Sequence, residues 1–167
     1  MKLVTFTYKG ISRIGAVIEQ ELVDTIESPE IPRNMIDFLS AGTPVRIQLQ
    51  KLIDAGNGRI PLSEVRLEAP VPKPGKYLGI ALNYSEHIRE TGREKPEYPT
   101  FFNKQTTCVI ADGAPIHRPK VSEKLDYEGE LAVVIGKRCR HVPKNRASDV
   151  IAGYTIANDV SVRDWQM

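Results

Sequence analysis

Three acidic side chains stand beside apolar residues in two strand-like segments. Glu128 and Glu130 are one residue apart and lead into an apolar run, and Asp159 follows a second such run. Alternate residues of a strand share a face, so the two glutamates are expected side by side. Carboxylates held together at the edge of a core need a proton, an ion pair or a metal ion. Because all the donors are oxygen atoms, the pattern favours Mg²⁺, Mn²⁺ or Ca²⁺ over Zn²⁺.

The alternative is an exposed strand face on which both glutamates meet water or lysine side chains. The glutamate pair alone does not decide between these interpretations. Asp159 favours the metal, and further polar residues follow it at Arg163, Asp164 and Gln166. Acids and amides clustered directly after a buried strand are unusual if packing is their only purpose.

The elements that must position these acids are predicted to be mainly strands. Residues 127–135 give the longest strand pattern, and apolar residues on both of its faces predict that it is covered on both sides. Asp159 falls in a strand predicted over 154–160. Residues 85–90 are predicted to be a short helix, and residues 92–99, rich in glycine, proline and charge, a mobile loop that would act as a lid. Further short strands are predicted at 77–82, 101–102, 109–110 and 116–117.

The first part of the chain has a different pattern. Strands are predicted at 2–8, 11–18, 22–26 and 62–67, with helical faces at 35–39 and 45–53. Thr43 is expected to cap the second helix, with Pro44 at its first position and Gly56 at its end. Three alternating prolines over 70–74 favour an extended connector. We therefore predict an α+β protein with a small α+β domain over 1–70 and a β-dominated region over 75–167.

Composition excludes several classes of function. The chain has 167 residues, 41% of them hydrophobic, and a net charge of +2, which is typical of a globular protein. The basic stretch Lys137, Arg138 and Arg140 lacks interleaved aromatic residues, so no nucleic-acid partner is expected. No apolar run approaches the roughly 18–20 residues of a membrane span. Cys108 and Cys139 have no metal-site spacing and are expected to be free thiols of a cytoplasmic protein without a secretory signal.

Several motifs in order along residues 75–167 resemble the fumarylacetoacetate hydrolase family. They are Asn83-Tyr84 with His87 and Glu90, Phe102-Asn103-Lys104, Asp126-Tyr127-Glu128-Gly129-Glu130-Leu131, Gly153-Tyr154-Thr155, and Asn158-Asp159-Val160-Ser161 with Arg163-Asp164 and Gln166. Each motif alone is weak, but the ordered set is specific. The N-terminal unit resembles the accessory domain of the branch that includes 2-hydroxyhepta-2,4-diene-1,7-dioate isomerases.

The resemblance implies a mixed β-roll and a Mg²⁺ or Mn²⁺ ion held by Glu128, Glu130 and Asp159. It implies a hydrolase that cleaves C–C bonds of acylpyruvates or fumarylacetoacetate-like 2-oxo or 1,3-dicarbonyl acids. An isomerase or decarboxylase of related dicarboxylates is the alternative within the family. A divalent cation suits all three reactions, because it stabilises the enolate that each of them forms. The resemblance also implies a homodimer.

The resemblance assigns roles to five further residues. His87 and Glu90 match a pair in which the histidine activates water and the glutamate orients it, and their i, i+3 spacing puts them on one helix face. Arg163 and Gln166 match residues that hold the substrate or its oxyanion, and Lys104 is a weaker candidate for the same pocket. Without the resemblance, a surface His/Glu pair, an Arg163–Asp164 salt bridge and a solvated lysine would be preferred. Tyr84 is expected to pack, and Asp126 to bond an arginine or the backbone.

Relatives in this branch continue for about another domain's length beyond the Arg-Asp-x-Gln motif. That continuation includes a Lys-Ser-Phe-Asp-like segment and the strands that close the roll, so we expect open sheet edges in this chain. A non-catalytic, truncated fragment that folds with a partner chain is therefore a further hypothesis. The remaining hypothesis is a simple β-domain that binds no metal.

Overall fold

The N-terminal part of the chain is built on one antiparallel sheet with two helices against it. A computed structural model describes residues 1–166. The sheet has the strand order β4-β3-β2-β1-β5. Its strands are β1 (Lys2–Tyr8), β2 (Ile11–Ile18), β3 (Glu21–Asp24), β4 (Arg59–Pro61) and β5 (Arg66–Leu67). The strand predicted at 62–67 is wrong over its first half, where Leu62–Glu64 forms a 3₁₀ turn.

The helices α1 (Met35–Ala41) and α2 (Thr43–Ala55) supply the other half of this core. Residues from sheet, connecting loop and helices meet in one buried cluster, made of Ile14, Ala16, Ile31, Met35, Phe38 and Leu49. Thr43 was predicted as the N-cap of α2, but the cap is Gly42. A single residue joins the two helices, and its φ of 72° is readily adopted only by glycine. Gly56 ends α2 in the left-handed conformation, as predicted.

A buried ion pair joins β2 to β3 within this core. Arg13 and Asp24 lie 2.6 Å apart, and their side chains are only 5% and 4% exposed. The remaining polar atoms are also satisfied: Arg13 donates to the carbonyls of Tyr8 and Ile11, and Asp24 accepts from the backbone N–H of Ile26. Such complete pairing offsets the cost of removing both charges from water.

The second region consists of three two-stranded antiparallel sheets. The pairs are β6 (Leu78–Ala81) with β7 (Thr100–Asn103), β8 (Leu125–Asp126) with β11 (Ser161–Val162), and β9 (Gly129–Ile135) with β10 (Ile151–Asn158). Helix α3 (Ser85–Thr91) follows β6, as predicted. The strands predicted at 109–110 and 116–117 are wrong, because these segments are irregular. The predicted α+β class is confirmed.

One face of the β9–β10 pair is apolar and exposed. Leu131 lies opposite Ile156 and Val133 opposite Tyr154. These side chains are 62%, 86%, 48% and 64% exposed, respectively. The prediction that this strand is covered on both sides is wrong for residues 1–166, because no element among them packs on this face. The opposite face, with Glu130, Ala132 and Val134, is half-buried.

Contacts of the connector and of α2 attach the second region to the first. The hydroxyl of Thr5 donates to the carbonyl of Pro70 at 2.7 Å, and Val71 packs against the N-terminal core. Arg46 on α2 donates to the carbonyl of Ala152 on β10 at 3.4 Å. Among the described residues, no helix is long and apolar enough to cross a membrane. The proposed boundary near residues 70–75 stays a prediction.

We expect Asp24→Ala to destabilise the protein by about 3–5 kcal/mol, because it leaves the buried guanidinium of Arg13 without a counter-charge. Urea unfolding followed by circular dichroism measures the free energy of unfolding. The control is Arg59→Ala, which removes a pair with Glu21 whose side chains are 30% and 48% exposed and should cost about 0–1 kcal/mol. Equal losses in the two variants would contradict the structural role given to the buried pair.

Candidate functional site

Of the predicted metal ligands, Glu128 lies between β8 and β9, Glu130 lies in β9, and Asp159 follows β10. The single strand predicted over 127–135 is wrong at its start, since Tyr127 and Glu128 interrupt it. At this break the backbone N–H of Glu128 donates to the Asn158 side chain at 3.0 Å, and the carbonyl of Glu128 accepts from the N–H of Asp159 at 2.8 Å. Glu128 and Asp159 are thereby held next to each other. Glu130 lies opposite Ala157 in the ladder, two residues from Asp159.

Lys104 forms an ion pair with Asp159. Its side chain is 22% exposed and that of Asp159 is 13% exposed, so this pair is largely shielded from solvent. The residue follows β7, and its backbone N–H donates to the carbonyl of Tyr77 at 2.9 Å. The structure therefore pairs Lys104, which was predicted to bind the substrate, with Asp159, which was predicted to bind the metal.

Arg163 contacts two carboxylates and an amide. Its Nε and Nη2 lie 2.9 and 2.8 Å from Oδ2 of Asp126, and its Nη1 lies 3.0 Å from Oε1 of Glu128. The same Nη1 donates to Oε1 of Gln166 at 2.9 Å, so the two predicted substrate ligands are hydrogen-bonded to each other. The alternative Arg163–Asp164 bridge is absent from the described residues; Asp164 accepts from Ser122 at 2.6 Å.

The arginine also changes the acidity of its partner. The hydrogen bond from Arg163 lowers the pKa of Asp126 below its ordinary value, and the backbone N–H of Tyr127 adds to this effect, while desolvation partly opposes it. Asp126 therefore stays ionised and anchors Arg163, in agreement with the expectation that it bonds an arginine rather than a metal.

The donor chemistry at the break fits a hard cation, although no metal group is preformed. Glu128, Glu130 and Asp159 supply oxygen donors only, and the first and last of them already attract cationic side chains of the chain itself. Across residues 1–166, no three His, Cys, Asp or Glu side chains lie together in a way that could hold an ion. The assignment of these ligands stays a prediction.

Helix α3 is tied to the site through Tyr84. The hydroxyl of Tyr84 accepts a hydrogen bond from the backbone N–H of Leu131 at 3.0 Å, directly after Glu130. Tyr84 was expected only to pack, yet its side chain docks the start of α3 against β9. His87 is half-buried on this helix and Glu90 is exposed. Within the described residues the two side chains are not hydrogen-bonded to each other, and their roles stay predictions.

A cleft of about 310 Å³ opens beside the ion pairs. Its lining combines aromatic, apolar and polar side chains: Phe102, Asn103, Lys104, Ser161, Val162, Trp165 and Gln166. A second cleft, of about 170 Å³, lies between the end of β6 and the predicted lid, with Asn83, Lys95 and Tyr98 in its wall. The larger of the two has the volume of a small ligand site.

Sequence reasoning missed Tyr77. Burial raises the pKa of its phenol, and the negative charges of Asp159 and Glu130 raise it further while Lys104 lowers it. The phenol therefore lies within electrostatic reach of two predicted metal ligands and stays protonated near neutral pH. One aromatic residue before a short apolar strand gives no signal that distinguishes it from a core residue.

Comparison with known proteins identifies relatives of the whole chain. The profile of the family described as "Fumarylacetoacetate (FAA) hydrolase C-terminal" matches residues 76–167. A fumarylacetoacetate hydrolase domain-containing protein 2 homolog of Dictyostelium discoideum is 36% identical over 173 positions, covering 100% of this chain and 56% of that protein. A mitochondrial oxaloacetate tautomerase of Xenopus laevis is 36% identical over 153 positions, covering 92% of this chain and 47% of that protein.

A solved structure extends this likeness to the fold. Maleylpyruvate hydrolase from Sphingobium sp. SYK-6, in complex with manganese(II) and pyruvate, superposes with a TM-score of 0.81 at 30% identity. The match covers 98% of this chain and 60% of that one. The chain thus spans about half the length of the curated relatives it matches.

We expect Arg163→Met to raise the pKa of Asp126 toward its ordinary value, because the variant removes the hydrogen bond that stabilises the carboxylate. The lowered pKa favours the folded state at pH values above the ordinary aspartate pKa, and this contribution disappears as the pH falls through the folded-state pKa. Carboxyl ¹³C NMR titration measures the shift. Arg146→Met, which removes a pair with Asp149, is the control and should leave Asp126 unchanged.

Proposed function

We propose a function for this chain on the ground that it belongs to the fumarylacetoacetate hydrolase family, whose profile matches more than half of it. The proposed function is that of a divalent-metal-dependent enzyme that hydrolyses C–C bonds of acylpyruvates or similar 2-oxo acids. The single observation that carries this proposal is that Arg163 bonds the carboxylates of Asp126 and Glu128 at the β8–β9 break and is hydrogen-bonded to Gln166. Mg²⁺ or Mn²⁺ is the proposed cofactor, and a cytoplasmic homodimer the proposed form.

Glu128, Glu130 and Asp159 are the proposed metal ligands. When bound there, a divalent cation would supply Lewis-acid stabilisation of an enolate. The hydrogen bond from the N–H of Asp159 to the carbonyl of Glu128 keeps the backbones of these two residues adjacent, while their carboxylates pair with Lys104 and Arg163. A divalent ion would therefore draw the carboxylates together rather than enter a preformed site.

The cationic and amide groups are proposed to bind the acid. Arg163 is fixed by Asp126 on one side and by Gln166 on the other, which orients its guanidinium toward Glu128. Because its N–H groups already bond Asp126, Glu128 and Gln166, Arg163 would attract the acid mainly through its positive charge. The cleft of about 310 Å³ that includes Lys104 and Gln166 would accept a short-chain 2-oxo acid.

Proton transfer is proposed for the pair on α3. His87 would take a proton from water, and Glu90 would orient that water or the imidazole. The hydrogen bond between Tyr84 and Leu131 supports this role, because it holds the start of the helix against the strand that carries Glu130. Residues 92–99 follow α3 directly, and we propose them as a lid that sets selectivity.

Isomerisation or decarboxylation within the family is the alternative activity. It is favoured by the likeness to a tautomerase over most of this chain. Both activities need the same enolate stabilisation, but only hydrolysis needs an activated water. Replacement of His87 by asparagine should therefore abolish hydrolysis of acetylpyruvate and spare the tautomerisation of oxaloacetate, both followed by ultraviolet absorbance of the enol form. Loss of both activities would contradict a role of the histidine that is limited to water.

We expect EDTA to abolish turnover of acetylpyruvate or oxaloacetate and Mn²⁺ to restore it. Glu128→Ala should lower kcat/KM by about a hundredfold or more, since it removes a group that supports charge stabilisation in the transition state. Ultraviolet absorbance of the enol form follows both reactions. Glu123→Ala, a neighbouring exposed carboxylate, is the control and should keep full activity. Turnover that survives complete chelation would contradict the proposal.

A second candidate is a non-catalytic chain that folds with a partner polypeptide. The exposed apolar face of β9–β10 favours it, because Leu131 and Ile156 lie on one continuous surface with Val133 and Tyr154. Apolar patches of this kind on soluble proteins commonly mark interfaces. The partner proposed is a polypeptide with an apolar β-face of its own.

We expect Ile156→Asp to abolish association of the chain with itself or with a partner chain and to remove the stability that association adds, while lowering the free energy of unfolding of the unassociated chain by only about 1 kcal/mol. Sedimentation velocity measures association, and urea unfolding measures stability. Ile47→Asp on α2, at a side chain that is 51% exposed, is the control. A wild-type chain that is monomeric at high concentration and fully active on its own would contradict this second candidate.

A further inference from the structure

We propose that Lys104 is an internal counter-ion that competes with a divalent cation for Asp159 and is displaced when that cation binds. This inference rests on the proposed metal site at Asp159. It assigns to Lys104 a role that is different from simple substrate binding, because the lysine pairs with one oxygen of the carboxylate before any ligand arrives.

The position of Lys104 carries the argument. Its ammonium group pairs with Asp159 and also lies 3.5 Å from the carbonyl of Val160. Its backbone is fixed by the hydrogen bond to the carbonyl of Tyr77. Of the proposed metal ligands that form ion pairs, Asp159 is the less exposed, at 13% against 21% for Glu128. A carboxylate in this environment requires a positive partner, and the chain supplies one.

Lys104 pairs with one oxygen of Asp159, Oδ1, so a divalent ion bound at the other oxygen would repel its ammonium group. The interaction between charges a few ångström apart is many times larger in a partly buried site than in water. A divalent ion at Asp159 and the ammonium of Lys104 would be such neighbours. Binding of one therefore weakens binding of the other, and this coupling is reciprocal.

Lys104, and not Arg163, is the cation that can leave. Arg163 is anchored by contacts with Asp126 and Gln166 in addition to Glu128, and its guanidinium fork is rigid. Among the described residues, Lys104 has one carboxylate partner only. Its flexible stem also lines the cleft of about 310 Å³. A displaced ammonium group would then face the space in which an anionic acid is proposed to bind.

Mn²⁺ binding to the full chain tests this inference. Titration followed by electron paramagnetic resonance gives the Kd for the wild type, for Lys104→Gln and for Lys137→Gln. The last variant removes an exposed positive charge outside the site and is the control. We expect Lys104→Gln to bind Mn²⁺ about tenfold more tightly, and Lys137→Gln to match the wild type.

The outcomes separate the two proposals. Equal Kd values in all three proteins, or weaker binding by Lys104→Gln, would overturn the counter-ion role and leave the metal site standing. Absence of Mn²⁺ binding in every folded protein would overturn both. Acetylation of wild-type lysines, quantified by mass spectrometry with and without Mg²⁺, gives a second readout that does not need the variant to fold. Mg²⁺ should increase modification of Lys104 and leave Lys137 unchanged, whereas an unchanged Lys104 would overturn the inference.

Discussion

Compensation of clustered negative charge is the constraint on which the second region depends. Asp126, Glu128 and Asp159 lie within a few residues of each other on paired segments, and two of their partners are Lys104 and Arg163. These ion pairs join β7 to the segment after β10, and β8 to the segment after β11. Unpaired carboxylates in such partly buried positions would favour protonation or opening of the loops. The polar network therefore organises both the site and the local fold around it.

Sequence patterns predicted the elements that depend on local interactions. The hairpin β1–β2 and the helices α2 and α3 follow directly from alternation, helical spacing and glycine stop signals. The break at Glu128 was not predicted, because it depends on a hydrogen bond from its N–H to Asn158, thirty positions away in the chain. The contacts of Arg163 with Asp126 rather than Asp164 are also non-local. Motif resemblance located the site residues, and tertiary contacts decided how they pair.

The exposed β9–β10 face illustrates a second limit of sequence reasoning. Alternation of Leu131, Val133 and Ile135 predicted a covered face, because apolar strand residues favour burial. A pattern of this kind does not specify which polypeptide provides the cover. In residues 1–166 the cover is absent, although the same side chains are well suited to packing against another sheet. The alternation thus predicts that this face packs against something, without predicting that the cover belongs to the same chain.

The distribution of buried residues links this exposed face to the site. Nearly all fully buried apolar side chains belong to the N-terminal sheet and its helices, and Ile88 on α3 is an exception in the second region. Because β9 has little core beneath it, the positions of Glu128 and Glu130 depend mainly on backbone pairing with β10 and on ion pairs. Local stability of this kind is lower than that of a packed core, so loops and side chains there sample more conformations. Covering the face of Leu131 and Ile156 would restrict β9 and β10 together, and would therefore also fix the carboxylates that emerge at their ends. The apolar face and the carboxylates therefore depend on the same pair of strands. What covers the apolar face of β9–β10 determines how precisely the carboxylates at the strand ends are held.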